Sequence, residues 1–512
     1  MVLNSKKIVD TLREEKITIL VILLSAFVLF YNLDGRLLTA DELTFASRSA
    51  DQLTRPQLTF FDEPPVYFDA MALIYQVLGI STTAARSLSV LASALTLAVV
   101  YLIGKKLFNR RVGLISAVIL GFSLFFLTWS RLAYIEPFLT LFFALSAYYL
   151  LTGIKENSGK KAYYSVGIAA FTTLIKHTGF IFFFLVPIFA ILKRKQLLLK
   201  LSKFIPYTLV VFLAFSSITI AYNYMLYSKY GILDYQFSRA LGMNVPEYNI
   251  LFGTSVHVNP TMVFYGLFNS LYNLYQYDII FFGLATVAIV FALWRFRKDS
   301  SVQFMLFWLL SLLLLFSTYV DSSQPTTVFG FAPNWFVTFL PAAAILSGLF
   351  LNSLIKNKIV LLLILVFVAG YSLGIFSNSL FVHDTRPFNQ LTAYLSNTDS
   401  SQPIIVDNKV YAGYWAWYLY NKCAVRNIDY NITSETNSTE LIIVKFDGDN
   451  LGWAQPQDSG IVVPTNSLPT NVILANGQPF FEIYKVNAKI SSSTIIDCSR
   501  LKAGFTPKTI SK

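Results

Sequence analysis

The stretch from Ile17 to Leu33, ITILVILLSAFVLFYNL, runs 17 positions without a charged residue. That is slightly short of the ~20 residues a helix needs to cross a hydrocarbon core of ~30 Å, but long enough to read as a membrane span. The rest of the chain agrees: 512 residues, 55% hydrophobic, 16% aromatic and only 13% charged. Composition therefore places this sequence among α-helical polytopic membrane proteins. Lys6, Lys7, Arg13 and Lys16 precede the run as they would in a signal peptide. No small-x-small cleavage pattern follows it and many more apolar runs do, so the segment reads as an anchor.

A formal net charge of +12 raises the question of nucleic acid, but the basic residues sit in small clusters between apolar runs rather than on one stripe. The clusters are Lys6-Lys7, Lys105-Lys106 with Arg110-Arg111, Lys160-Lys161, Lys193-Arg194-Lys195, Arg295-Arg297-Lys298 and Lys356-Lys358, one after every second run. The positive-inside rule makes them cytoplasmic loops. Spans are then predicted over 17–33, 84–104, 112–129, 134–153, 162–175, 179–192, 204–225, 275–294, 302–320, 334–352 and 359–376, about eleven in all, with the N-terminus inside. No nucleic-acid partner is expected.

This orientation puts loops 34–83, 226–274 and 321–333 outside, with everything after about Phe376. Phe68 to Tyr75 reads either as a helix lying in the membrane interface or as a tucked-in core helix. Loop 226–274 is either a lid over a bound lipid head or a plain surface loop. Beyond Phe381 the apolar runs become strand-length, as in Pro403–Asp407, Leu441–Lys445 and Phe480–Tyr484, with polar turns between them. That pattern predicts a small extracytoplasmic α/β domain over 381–490, after a transmembrane region 1–380 and before a polar tail 491–512. Asn431-Ile432-Thr433 and Asn437-Ser438-Thr439 match the glycosylation acceptor pattern, in keeping with an external position.

Cysteine occurs twice, Cys423 and Cys498, either bonded to each other or as two thiols. The three histidines, 177, 257 and 383, have no ligand spacing, and there is no Gly-rich phosphate loop, so nucleotide-driven chemistry is not indicated. Ionisable residues gather instead at the predicted external interface: Asp41, Glu42, Asp62, Glu63, Arg86, Arg131, Glu136, Lys176 and His177. Acids and cations packed against membrane spans are site candidates by default. Each also has a plainer explanation, since interfacial Arg and Lys snorkel and acids cap helix N-termini.

Asp41-Glu42, Pro64-Pro65-Val66-Tyr67-Phe68, Ala85-Arg86-Ser87-Leu88-Ser89, Val100 to Phe108 and Ser130-Arg131-Leu132-Ala133-Tyr134-Ile135-Glu136 together resemble the N-terminal pattern of GT-C glycosyltransferases. The likeness is to protein O-mannosyltransferases and aminoarabinose–lipid A transferases, over roughly the first 200 residues. It implies a plasma-membrane enzyme that moves a sugar, a hexose such as mannose, from a polyprenyl-phosphate carrier to a protein, glycan or lipid acceptor outside the cytoplasm, with inversion. It also implies that Asp41 and Glu136 lie in the active site, with Arg131 and Lys176 as basic residues of the same pattern.

The chemistry fits one carboxylate and nearby cations. Transfer from a sugar phosphate needs a base for the acceptor hydroxyl, whereas the phosphate leaves as a stable anion and needs no general acid, unlike glycoside hydrolysis. Asp41 is the expected base, and Arg131 and Lys176 are candidates to stabilise the departing phosphate. Glu136 or Glu42 would orient sugar hydroxyls or the base, and Glu136 is able to exchange roles with Asp41. Glu63, Tyr67, Arg86 and His177 complete the expected substrate-binding set. No cofactor is called for, although carboxylates around a phosphate are able to hold a divalent ion.

The chain also departs from the pattern. Relatives often carry Lys or His where Glu63 stands, and an Arg-Tyr pair where this chain has Asn334-Trp335-Phe336. Either another cation grips the lipid phosphate or Glu63 contacts the sugar. Among other readings, an oligosaccharyltransferase lacks its Trp-Trp-Asp-Tyr-Gly signature, because Gly413-Tyr414-Trp415-Ala416-Trp417 has no acid. A transporter would show charges in mid-span, and a non-enzymatic lipid-binding or assembly protein would need no base.

Overall fold

A computed structural model describes residues 5–38, 40–54, 63–231, 233–234, 237–238, 241, 243, 262–318, 333–379, 385–397, 404–407, 417, 424–432, 439–447, 463, 467–496 and 509–510. Asp62, His257, His383, Asn437, Cys423, Cys498 and the stretch 244–261 of loop 226–274 lie outside the described residues, so the readings made for them are not addressed by the fold.

The chain divides into two compact units: Met1–Tyr31, Phe60–Ala70 and Arg86–Ser379 in the first, Asn32–Thr59, Met71–Ala85 and Leu380–Lys512 in the second. Among the described residues its helices, in order, are α1 (Ser5–Phe30), α2 (Ala40–Thr54), α3 (Val66–Leu78), α4 (Thr82–Leu107), α5 (Arg110–Gly121), α6 (Leu124–Ser130), α7 (Ile135–Lys155), α8 (Gly159–Thr172), α9 (Gly179–Leu192) and α10 (Leu201–Tyr230). They continue with α11 (Met262–Tyr277), α12 (Ile279–Arg295), α13 (Ser300–Thr318), the short α14 (Pro333–Phe336), α15 (Leu340–Leu354), α16 (Lys358–Ser379) and α17 (Arg386–Ser396).

The first unit is a helical membrane body. Six helices among the described residues are long and apolar enough to cross a bilayer, or seven if the bent pair α5–α6 is one span. The chain is an integral membrane protein. α10 is the barest of the six, with only 11% of its apolar window buried, as suits a helix facing lipid. Inside, packing is aromatic and close: Phe143 stacks on Phe182 at 4.0 Å, and Phe182 meets the edge of the fully buried Trp308 at 5.3 Å. Small polar residues join α7 to α8, where the Ser146 and Ser165 hydroxyls each donate to the other's carbonyl at 2.8 Å. In a membrane interior, where hydrophobic contrast is weak, such contacts and close packing hold helices together.

Two predicted spans differ from the observed helices, and one buried carboxylate lies at both breaks. The run 112–129 bends by 63° between α5 and α6. There Asp278 Oδ2 accepts from the Ser123 hydroxyl at 2.8 Å and the Phe125 amide at 3.1 Å. The run 275–294 breaks at Asp278 itself, whose Oδ1 caps α12 through the Phe281 amide at 3.0 Å. A single side chain thus satisfies donors at two helix starts that would otherwise be orphaned in an apolar setting.

In the second unit the three predicted strand runs are strands: β1 (Ile404–Val406), β3 (Thr439–Phe446) and β5 (Gln478–Ile496). With β2 (Ala424–Ile432), β4 (Asn471–Ala475) and β6 (Thr509–Ile510) they form one mixed sheet of order β2-β1-β3-β5-β4, β6 pairing with β5. β1 is parallel to β2 and β3, while β5 is antiparallel to β3 and β4. Ile405, Leu441, Ile443 and Tyr484 form a core on it, and α17 buries Phe388, Leu391 and Leu395. Loop 34–83 contributes to the same unit: the Thr385 hydroxyl donates to the Asp34 carbonyl at 2.7 Å, and the Trp417 indole to Thr82 at 3.3 Å.

Candidate active site

Glu63 precedes Pro64-Pro65, which cannot continue a helix backward and so start α3 at Val66. The Val66 amide donates to the Leu174 carbonyl at 3.3 Å, laying this segment against the turn between α8 and α9. That turn carries Lys176-His177 and closes through the Gly179 amide onto the Lys176 carbonyl at 2.8 Å. Gly179 is required there, because a Cβ would collide with the Thr172 carbonyl. Glu136 stands in the first turn of α7, where a carboxylate also suits the helix dipole.

These placements assemble a buried ionic cluster. Lys176 Nζ lies 2.6 Å from Glu136 Oε1 and 3.5 Å from Glu63 Oε1, and 5.7 Å from the centre of the Trp335 ring. Asn334 Nδ2 donates to the same Glu136 Oε1 at 2.9 Å. Among the described residues, Glu136 Oε2 is buried with no hydrogen-bond partner. His177 Nδ1 lies 2.9 Å from Glu63 Oε2, and its Nε2 lies 3.3 Å from Asp234 Oδ2. Asp234 is itself braced: Asn223 Nδ2 donates to its Oδ2 at 2.7 Å, its amide donates to Asn223 Oδ1 at 2.8 Å, and the Phe237 amide donates to its Oδ1 at 3.1 Å.

Burial alone would lower the pKa of His177, but the close contact of its Nε2 with Asp234 and the hydrogen bond of its Nδ1 with Glu63, together with the charges of both carboxylates, raise it to about 9. Burial would likewise raise the Glu63 carboxyl. The Lys176 charge and the His177 hydrogen bonds outweigh it and hold Glu63 below its ordinary value. At neutral pH His177 is therefore a cation, and Lys176 and His177 face Glu63, Glu136 and Asp234.

Of the residues expected from sequence, Glu63, Glu136, Lys176 and His177 come together in the first unit. Tyr67 is buried in the same unit, edge-on to Phe68 at 5.7 Å and Phe138 at 6.1 Å. Arg131 ends α6, where its Nη2 donates to the Tyr31 carbonyl at 2.6 Å and its guanidinium lies 5.2 Å from the Phe376 ring. Arg86 is buried within α4. Asp41 and Glu42 open α2 in the second unit, Asp41 exposed and Glu42 buried.

Asp234 and Asn223 carry no motif in the sequence, and Asn334 and Trp335 enter it only as a departure from the family pattern. An acid in a long external loop was the one signal available for Asp234. Among the described residues, no group of three or more His, Cys, Asp or Glu is arranged to hold a metal ion. Beside the Asn223 brace lies an apolar cavity of about 320 Å³, lined by Thr219, Asn223, Tyr224, Tyr227, Leu233 and Phe237 among others.

The chain resembles GT-C glycosyltransferases. Residues 62–222 match the family model described as dolichyl-phosphate-mannose-protein mannosyltransferase. The fold is similar to that of ArnT from Cupriavidus metallidurans, solved with undecaprenyl phosphate bound, at a TM-score of 0.60 and 14% identity over 92% of this chain and 98% of that one. It is also similar to an oligosaccharyltransferase from Archaeoglobus fulgidus tethered to an acceptor peptide, at a TM-score of 0.51 and 12% identity over 81% of this chain and 64% of that one. At these identities the likeness is one of fold. No curated protein matches the chain by sequence.

Proposed function

We propose that this protein is a membrane glycosyltransferase that moves a sugar, a hexose such as mannose, from a polyprenyl-phosphate carrier to a protein, glycan or lipid acceptor outside the cytoplasm, with inversion. The observation that carries this reading is the buried cluster of Glu63, Glu136, Lys176 and His177, inside the stretch that matches the mannosyltransferase model. Ions buried in a membrane protein are expensive and mark function more often than stability.

In this proposal Asp41 takes the acceptor proton. Glu136, held at one oxygen by Lys176 and Asn334, presents the other to a sugar hydroxyl or shares the base role. Arg131 and Lys176 stabilise the leaving phosphate, and Glu42, Glu63, Tyr67, Arg86 and His177 line the substrate. Pairing of Glu63 with His177 and Lys176 answers the difficulty its charge raised: it is neutralised within the protein and does not repel a lipid phosphate as a lone acid would. The apolar cavity beside α10 supplies a hydrocarbon surface suited to isoprene units. We further propose about eleven spans with the N-terminus inside, and a location in the plasma membrane with the domain 381–490 outside.

The test is transfer of labelled hexose from a polyprenyl phosphate by the purified, reconstituted protein. Lipid extracts from cells with and without the gene would then identify carrier and acceptor.

A further inference from the structure

Asp234 stands apart from every role assigned above. It is fully buried, yet it comes from the long segment after α10 rather than from the motif-bearing N-terminal region. Its contacts are unusually complete. Asn223, two helical turns before the end of α10, both donates to its carboxylate and accepts from its amide, and the Phe237 amide takes the second carboxylate oxygen. One interaction then reaches the catalytic cluster, Oδ2 at 3.3 Å from His177 Nε2. On the other side of the ring, Nδ1 meets Glu63 Oε2 at 2.9 Å, and the His177 backbone amide donates to the same oxygen at 3.3 Å. The edge of the Phe237 ring packs on the imidazole at 5.2 Å between centres.

We propose that Asp234 is a positioning residue of the transfer site: braced by Asn223, its carboxylate fixes the His177 ring against Glu63, so that Glu63 is engaged by His177 and Lys176 is left to Glu136.

Glu63 has two oxygens, one toward His177 at 2.9 Å and one toward Lys176 at 3.5 Å. The nearer contact is to His177, and it is strong only while the ring is cationic and oriented. Among the described residues, the charged groups facing the ring are Glu63 from the segment before α3 and Asp234 from the segment after α10, with Lys176 adjacent on the same turn. A second carboxylate across an imidazole fixes its orientation and favours the protonated form. Without it the ring holds its proton less tightly and is free to turn, Glu63 turns to Lys176, and Lys176 is drawn from Glu136. Asp234 would thus set the charge and geometry of a site it does not itself line. This rests on the transferase reading for its effect on turnover, but not for its effect on His177.

The experiment separates the two. With three histidines in the chain, a His257→Gln/His383→Gln background leaves His177 as the only imidazole, and labelled-histidine NMR in micelles reads its titration directly. Asp234→Asn keeps the shape and removes the charge. The expected result is titration near pH 9 in the parent and at least tenfold weaker proton binding in Asp234→Asn, restored in part by Asp234→Glu. Asn223→Ser, which keeps the carboxylate and removes its brace, shifts the titration the same way by less and serves if Asp234→Asn does not fold. Hexose transfer is then measured against pH, and its alkaline limb moves with the His177 titration. A parent His177 titrating near 6.5, an Asp234→Asn titration unchanged from the parent, or a pH profile that stays put while the titration moves would each overturn the proposal. A parent with no transfer at any pH sinks the transferase reading, while the NMR arm still decides whether Asp234 governs His177.

Discussion

Replacing Lys176 by Met is the sharpest test of the ionic cluster, because it keeps an unbranched side chain only one atom shorter and removes the charge together with the hydrogen bond to Glu136. The Lys176 side chain is 8% exposed, Glu136 is 1% and Glu63 is 8%, so solvent screens none of the three well. Deleting one partner of a buried ion pair typically costs about 3–5 kcal/mol, since the other charge is left buried and uncompensated. Here Glu136 keeps Asn334 and Glu63 keeps His177, which places the expected loss at the low end, about 3 kcal/mol. Glu136→Gln should cost less, about 1–2 kcal/mol, because Lys176 retains Glu63 and the amide oxygen still accepts. The double variant should be more stable than the two losses added together, because Glu136→Gln removes the charge that Lys176→Met strands. Chemical denaturation in mixed micelles measures all three. A Lys176→Met protein within about 0.5 kcal/mol of the parent, or strictly additive losses, would show that the three charges do not depend on one another.

Other outcomes follow from particular contacts. The folded His177 titrates near 9 against about 6.5 unfolded, so its contribution is fully present below pH 6.5 and lost as pH rises through 9. That amounts to about 3 kcal/mol, so melting temperature in detergent should fall between pH 6.5 and 9.5, and His177→Gln should flatten the dependence. Asp278→Ala strips caps from α6 and α12 and should cost about 2–4 kcal/mol; an unchanged melting temperature would show that the two breaks do not depend on this carboxylate. Gly179→Ala forces a Cβ onto the Thr172 carbonyl, so hexose transfer should drop well before the protein loses its helical circular dichroism. Equal transfer in the variant would mean that the Lys176-His177 turn tolerates displacement.

The apolar runs were legible because a bilayer demands length and hydrophobicity, and these survive in sequence with little ambiguity. The breaks within them were not. Proline and glycine announce a bend, but the bend at Ser123 depends on Asp278, 155 residues away, accepting its hydroxyl. Glu63, Glu136, Lys176 and His177 stood out as acids and cations beside spans, yet their pairing needed the Val66–Leu174 contact, which no local pattern encodes. Asp234 looked like any polar residue of a long loop until Asn223 and His177 enclosed it. Asn334 shows a further gap: read as a lost family residue, it stands in the cluster as a ligand of Glu136.

In the proposed reaction this cluster serves sugar transfer from a polyprenyl phosphate. The direct measurement is release of polyprenyl phosphate and transfer of label from a polyprenyl-phosphate hexose by the reconstituted protein, its Asp41→Asn and its Glu136→Gln forms. The expected result is turnover in the parent, loss in Asp41→Asn with folding and donor binding intact, and a strong reduction in Glu136→Gln. Near-normal turnover in both variants, or a parent that leaves the donor unchanged, would contradict it.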